Sequence, residues 1–266
     1  MVAGKIIAGF LATLFTATAP SAAAEREETI PTREGVTISF VVTEPAPEPR
    51  AAAILFMGGN GKMRLWRGRG ARNRNFLVRS RQLFADRGIF TVTVDVASDQ
   101  RTDGLIDIRD GADHRKDIAA VADWIRDRTR VPLWLVGTSR GTVSVAHLAG
   151  VLPVDGAVFS ATVTEPSSRR AANVHDANLD RIRVPTLVVH HRHDECHVTP
   201  AYGVSRLVSG LGNAPKVESM MFEGGKAPIS GPCEARSAHG FFGIEEKVVD
   251  ATVRWMLANG GRRSGK

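Results

Sequence analysis

Ser139 stands at the centre of Gly137-Thr138-Ser139-Arg140-Gly141, a G-x-S-x-G pentapeptide preceded by the apolar run Leu133 to Val136 and followed by a helix-compatible stretch through Leu148. The end of a buried strand and the start of a helix is the setting in which such a serine is chemically useful. A strand that reverses directly into a helix pinches the backbone at the serine, and glycine at 137 and 141 keeps that turn free of side-chain collisions. The hydroxyl is lifted out of the sheet. Behind it, the unpaired N–H groups of a helix N-terminus face any developing negative charge. Because a serine hydroxyl is a poor nucleophile near neutral pH, it needs a base within hydrogen-bond reach and a third group to orient that base. The chemistry this predicts is acyl transfer through a covalent acyl-enzyme.

Elements able to carry such a turn are legible along the chain. Apolar runs of strand length occur at 36–42, 51–57, 89–94, 133–136, 157–160, 186–190 and 217–222. Helical patterns lie between them: Ile118, Val121, Trp124 and Ile125 share one face, as do Ile244, Val248, Ala251 and Trp255. Continuous apolar strands spaced by helices predict an α/β fold, a mostly parallel central sheet covered by helices on both faces. No internal repeat and no Pro-, Gly- or Ser-rich linker divides the chain, so a single domain over 25–266 is expected.

On these residues the chain resembles the α/β-hydrolase family, from about Val36 to Asn259. The family's order of nucleophile, acid and histidine implies where the partners of Ser139 lie. Pro185 to Asp194, followed by Val198 and Pro200, is similar to the family's acid-bearing strand and turn, which nominates Asp194, with Glu195 one residue away as the competing assignment. Ser237-Ala238-His239-Gly240 fits the histidine loop before the last helix and nominates His239. His239 would take the Ser139 proton and return it to the leaving group, while Asp194 fixes the ring's tautomer. The resemblance also implies oxyanion-hole N–H donors at Arg140 and, in the Gly-rich loop after the 51–57 strand, at Gly59. Many members carry His-Gly where this chain has Met57-Gly58, which leaves the backbone donor in place but its exact residue open, with an ordinary glycine-rich turn as the alternative for that loop.

The two cysteines flank the same loops, Cys196 after the acid and Cys233 before the histidine. In this fold those loops meet, so a disulfide clamp is expected, worth roughly 4 kcal/mol by the chain-entropy model, against two buried thiols as the alternative. His190, His191, His193, Asp194, Cys196 and His197 crowd together, yet neighbouring side chains on a strand point in opposite directions and no HExxH pair organises them, so no metal is expected. No cofactor is expected either, because Gly58-Gly59-Asn60-Gly61-Lys62 lacks the P-loop spacing.

With 35 Lys+Arg against 28 Asp+Glu the formal charge is +7, acids and bases are mixed along the chain, and nothing demands a nucleic-acid partner. Lys62, Arg64, Arg67, Arg69, Arg72, Arg74, Arg79 and Arg81 follow the Gly-rich loop without an intervening acid. Such a field suits anionic esters or an anionic cell envelope, while a solvated basic face accounts for it more readily. Residues 1–24, with Lys5, an apolar stretch to Ala19 and the small residues Ser21 to Ala24, read as a secretory signal, giving a periplasmic or secreted protein with no anchor after cleavage. About two dozen residues separate the 157–160 strand from the 186–190 strand, too few for a large helical lid. The expected function is hydrolysis of a small or medium carboxylic ester. Peptidase or thioesterase action on the same triad, or a non-catalytic envelope-binding protein retaining the fold, are the alternatives.

Overall fold

Strands buried on both faces are built mainly from apolar residues, and that is how the centre of this sheet is made. The computed structural model of the chain describes Met1 and residues 24–46, 48–68, 70–71, 73–166 and 172–261. In chain order the strands are β1 (Ala24–Arg33), β2 (Val36–Glu44), β3 (Ala51–Phe56), β4 (Ile89–Ala97), β5 (Leu133–Ser139), β6 (Gly156–Thr162), β7 (Thr186–His191) and β8 (Val217–Phe222). The helices are α1 (Phe76–Ala85), α2 (Ala112–Arg126), α3 (Gly141–Leu148), α4 (Gly203–Gly210) and α5 (Glu245–Asn259). The strands form one sheet of 8 in the order β1-β2-β4-β3-β5-β6-β7-β8. β1, β2 and β4 pair antiparallel, and every pairing from β4 through β8 is parallel. The α/β-hydrolase fold expected from the sequence is the fold observed.

Alternation along the strands sorts side chains into two layers. Ala52, Ile54 and Phe56 of β3 and Leu133 and Leu135 of β5 pack with Ile118, Val121, Trp124 and Ile125 of α2, and α3 and α4 join this layer through Val145 and Leu207. Ala53 and Leu55, with Trp134 and Val136, face the other way onto Leu77 and Phe84 of α1 and Val249, Val253 and Trp255 of α5. Trp134 is fully buried, and a Cβ on Gly156 in the next strand would lie 2.1 Å from its ring. Only glycine at 156 leaves room for that indole.

Three elements carry no clear signal in the sequence. β1 lacks apolar alternation, and its first four residues are exposed. It is held by its pairing with β2, by a Thr29–Ser39 hydroxyl contact of 2.8 Å, and by ion pairs from Arg81 to Glu25 and Arg26 to Glu44. α1 starts where the Asn75 side chain accepts from Leu77 N at 3.2 Å, an N-cap preceded by a basic rather than an apolar stretch. α4 is two turns long, too short for its period to stand out. The expected signal segment, 1–24, falls outside the described residues except for Met1 and Ala24. Among the described residues no helix is long and apolar enough to cross a membrane.

Candidate active site

Parallel strands bring the loops that follow their C-terminal ends to one edge of the sheet, where ligands of open α/β folds bind. Ser139 ends β5, Gly58 and Gly59 follow the neighbouring β3, Asp194 lies just past β7, and His239 lies in the segment after β8.

Ser139 has φ 52°, a left-handed backbone that a side-chain-bearing residue adopts only when its surroundings enforce it. Those surroundings are glycines. A Cβ on Gly141 would meet Phe56 O at 2.1 Å, and one on Gly137 would meet Gly141 O at 2.5 Å. Thr142 Oγ1 donates to Ser139 O at 2.6 Å and tightens the turn into α3. Gly58 packs on the serine: a Cβ there would come within 2.8 Å of Ser139 Cβ and 3.3 Å of Asn75 Nδ2. Gly59, the expected oxyanion donor, is the exposed neighbour of buried Gly58 and has φ 58°. Arg140, the other expected donor, sits between Ser139 and the first residue of α3.

The expected acid and base are in contact. His239 Nδ1 lies 3.0 Å from Asp194 Oδ2, and both side chains are nearly inaccessible. Asp194 Oδ1 accepts from Cys196 N at 3.0 Å and Oδ2 accepts from Thr199 Oγ1 at 2.9 Å. Thr199 Oγ1 also lies 3.0 Å from His239 Nδ1. Since the threonine proton goes to the carboxylate, its oxygen can only accept from the ring, and the network assigns the imidazole proton to Nδ1. Nε2 is thereby left as the basic nitrogen.

His190 lies beside Asp194. Its Nε2 is 3.0 Å from Thr199 O and 3.6 Å from Asp194 Oδ2. Burial, outweighing the nearby Asp194 charge, holds His190 below the usual histidine range, so it donates to Thr199 O as a neutral ring. The rest of the histidine-rich cluster is likewise used structurally: His191 Nε2 meets Gly224 O at 2.9 Å and its Nδ1 accepts from His193 N at 3.1 Å. Cys196 and Cys233 are disulfide-bonded, with Cα atoms 4.5 Å apart. Together with His197 they lie within metal-ligand range of one another, but both sulfurs are engaged in the disulfide and are not thiolate ligands.

The histidine segment is anchored to α1. Arg79 donates from Nη2 to Gly240 O at 2.5 Å and pairs with Glu245 at 2.8 Å, and the Phe76 and Phe241 rings lie 4.9 Å apart. Asn75, at the start of the same helix, borders Gly58. One helix therefore touches the glycine packed on the serine and the loop carrying the histidine.

Two contributors escaped the sequence reading, Thr199 and Arg109, and His190 was read only as one member of the histidine-rich cluster. Arg109 is fully buried behind the Gly-rich loop, donating from Nη2 to Met57 O at 3.0 Å and Gly59 O at 3.3 Å, and from Nη1 to Ser144 Oγ at 2.9 Å. No periodicity marks an arginine in an irregular stretch, and a threonine five residues after an acid is unremarkable in type and spacing. The basic run is partly neutralised in space, since Arg79 and Arg81 pair with Glu245 and Glu25. Lys62, Arg64 and Arg67 line a hollow of about 520 Å³ beside Asn60, and Arg69 and Arg72 lie outside the described residues. Between β6 and β7 the described residues form single turns at Val174–Asp176 and Leu179–Arg181.

No family model and no curated protein matches this sequence. Solved structures match its fold. A cold-adapted esterase from an Arctic intertidal metagenomic library superposes with a TM-score of 0.62 at 16% identity, over 90% of this chain and 95% of that one. An α/β serine hydrolase homologue from Coxiella burnetii gives 0.62 at 19% identity, over 87% and 97%. A Xanthomonas campestris α/β serine hydrolase described as lacking a lid gives 0.55 at 21% identity, over 92% and 95%.

Proposed function

We propose that this chain is an exported serine hydrolase that cleaves a small or medium carboxylic ester, with Ser139 as nucleophile, His239 as general base and acid, and Asp194 as the carboxylate that orients the ring. The observation that carries the reading is the Asp194–Thr199–His239 network, which leaves Nε2 basic at the same sheet edge as the elbow of Ser139.

In the acylation step Nε2 removes the Ser139 proton as Oγ attacks the ester carbonyl, and the imidazolium that forms is stabilised by Asp194. The carbonyl oxygen becomes an oxyanion facing the N–H groups of Gly59 and Arg140, which supply fixed dipoles where charge develops. His239 then returns the proton to the leaving alcohol, and water deacylates the serine by the same route in reverse. Arg109, by holding the carbonyls of Met57 and Gly59, fixes which way that loop presents its N–H groups. The esterase and serine hydrolase neighbours support ester chemistry. The disulfide and the signal-like residues 1–24 support export.

A fluorophosphonate probe tests the assignment. The wild-type protein should be labelled at Ser139, and Ser139→Ala should lose labelling together with about 10⁴-fold or more of its p-nitrophenyl ester hydrolysis. Labelling elsewhere, or undiminished turnover in the variant, contradicts it. Short aminoacyl amides and thioesters in parallel separate ester hydrolysis from peptidase and thioesterase action, and a folded protein inert to the probe points to the non-catalytic alternative.

A further inference from the structure

Gly59 and Arg140, the two residues whose N–H groups are assigned to the oxyanion, stand on different elements, one in the Gly-rich loop after β3 and the other at the start of α3. A pair of donors stabilises a developing charge only while both are held in place. Within the loop every carbonyl from 57 to 60 has a partner. Arg109 Nη2 donates to Met57 O at 3.0 Å and to Gly59 O at 3.3 Å, Gly61 N donates to Gly58 O at 3.3 Å, and Leu105 N donates to Asn60 O at 2.9 Å. A peptide group is planar, so a held carbonyl fixes the direction of the N–H that shares its plane. The Gly59 N–H belongs to the Gly58–Gly59 peptide, which lies between two peptides clamped by one guanidinium.

The same guanidinium reaches the other element. Arg109 Nη1 donates to Ser144 Oγ at 2.9 Å, in the first turn of α3, and His114 Nε2, in the first turn of α2, meets that hydroxyl at 3.0 Å. Arg109, Ser144 and His114 are all buried, so these contacts are made at low dielectric, where they are strong and costly to break. Gly61 leaves the space for the fork, since a Cβ there would sit 3.2 Å from Arg109 Nη2 and 3.0 Å from Leu105 Cδ1. Lysine would carry the charge without the planar fork that ties two elements together in one geometry.

We propose that Ser144 is a positioning residue for the hydrolysis: backed by His114, it anchors the Arg109 fork to α3 and thereby sets the distance between the Gly59 and Arg140 N–H groups. This role rests on the serine hydrolase reading given above and lies behind the reacting groups. Ser144→Ala removes the anchor and lets the Gly-rich loop shift against α3. The loss falls on the transition state, where the carbonyl oxygen carries its charge, and spares the bound ester.

Ester hydrolysis and inhibition by a trifluoromethyl ketone, measured side by side on the full chain, test the proposal. In the inhibited protein Ser139 Oγ bonds to the ketone carbon, its proton passes to His239, and the former carbonyl oxygen becomes an anion facing the same two N–H groups. In Ser144→Ala, kcat for p-nitrophenyl acetate should fall about tenfold with KM within about twofold of wild type, and the inhibition constant should rise about tenfold in parallel. Arg109→Lys, which keeps the buried cation and loses the fork, should lose about 100-fold in both and serves as the second variant. Adding Ser144→Ala to Arg109→Lys should cost little more, because both act through one guanidinium. Activities are normalised to the native fraction from circular dichroism. An active wild type whose kcat and inhibition constant are unchanged in Ser144→Ala, a loss confined to KM or to the native fraction, or fully additive losses overturn the inference and leave the hydrolase reading standing. A wild type inert to both ester and ketone overturns the two together.

Discussion

The Thr199 hydroxyl connects Asp194 and His239, donating to the carboxylate while accepting from the ring. Thr199→Val keeps the shape and removes both contacts, so kcat for ester hydrolysis should fall about tenfold while KM stays close to wild type, and Thr199→Ser should recover most of the loss. An unchanged kcat in Thr199→Val would show that Asp194 alone orients the ring. Residues such as this mark the limit of what the sequence discloses. The elbow at Ser139 was legible because its glycines are imposed by backbone collisions, and the Asp194–His239 pair because the family resemblance implied where partners of that serine would lie. Thr199 and Arg109 act through partners distant in the chain or through main-chain carbonyls, and such contacts leave no spacing to read.

At the level of elements, the elbow between β5 and α3 tolerates no added atom. Gly141→Ala would drive a methyl group into Phe56 O, so this small substitution should destabilise the protein by about 3 kcal/mol or more, measured as a lowered urea midpoint. The disulfide has a different kind of effect. It closes a separation of 37 residues and joins the loop after the acid to the loop before the histidine. Reduction, or a Cys196→Ala/Cys233→Ala pair, should cost about 4 kcal/mol of stability by the chain-entropy model. Because Cys196 N also donates to Asp194, turnover should fall further than the loss of folded protein explains, a comparison made by normalising activity to the native fraction from circular dichroism. The seven apolar strands were all readable, five because burial makes them mostly apolar, and β2 and β8, only partly buried, because apolar residues still dominate them. β1 was not, because an exposed edge strand is held by backbone pairing and ion pairs, which leave no hydrophobic period.

For the molecule as a whole, acid should be more damaging than the protonation of surface carboxylates accounts for. Burial, reinforced by the charges of Arg109 and His147, pushes His114 down to about 3, and burial also lowers His190. Both rings stay neutral in the fold while the unfolded chain takes up protons below pH 6.5. Stability should therefore be flat in this respect above pH 6.5 and decline as pH falls from there toward 3, by about 1.4 kcal/mol per pH unit for His114. Urea midpoints between pH 7 and 4 measure the slope, and His114→Gln should flatten it; an equal slope in both proteins rules His114 out as the cause. The sheet also distributes its indoles unevenly between its two coverings. Trp124 belongs to the layer under α2, whereas Trp134 and Trp255, their rings 5.8 Å apart, belong to the layer under α5. Fluorescence from proteins keeping one indole set or the other thus reports each side of the sheet independently, so that a domain losing its coverings in succession would show two emission transitions and one losing them together a single transition.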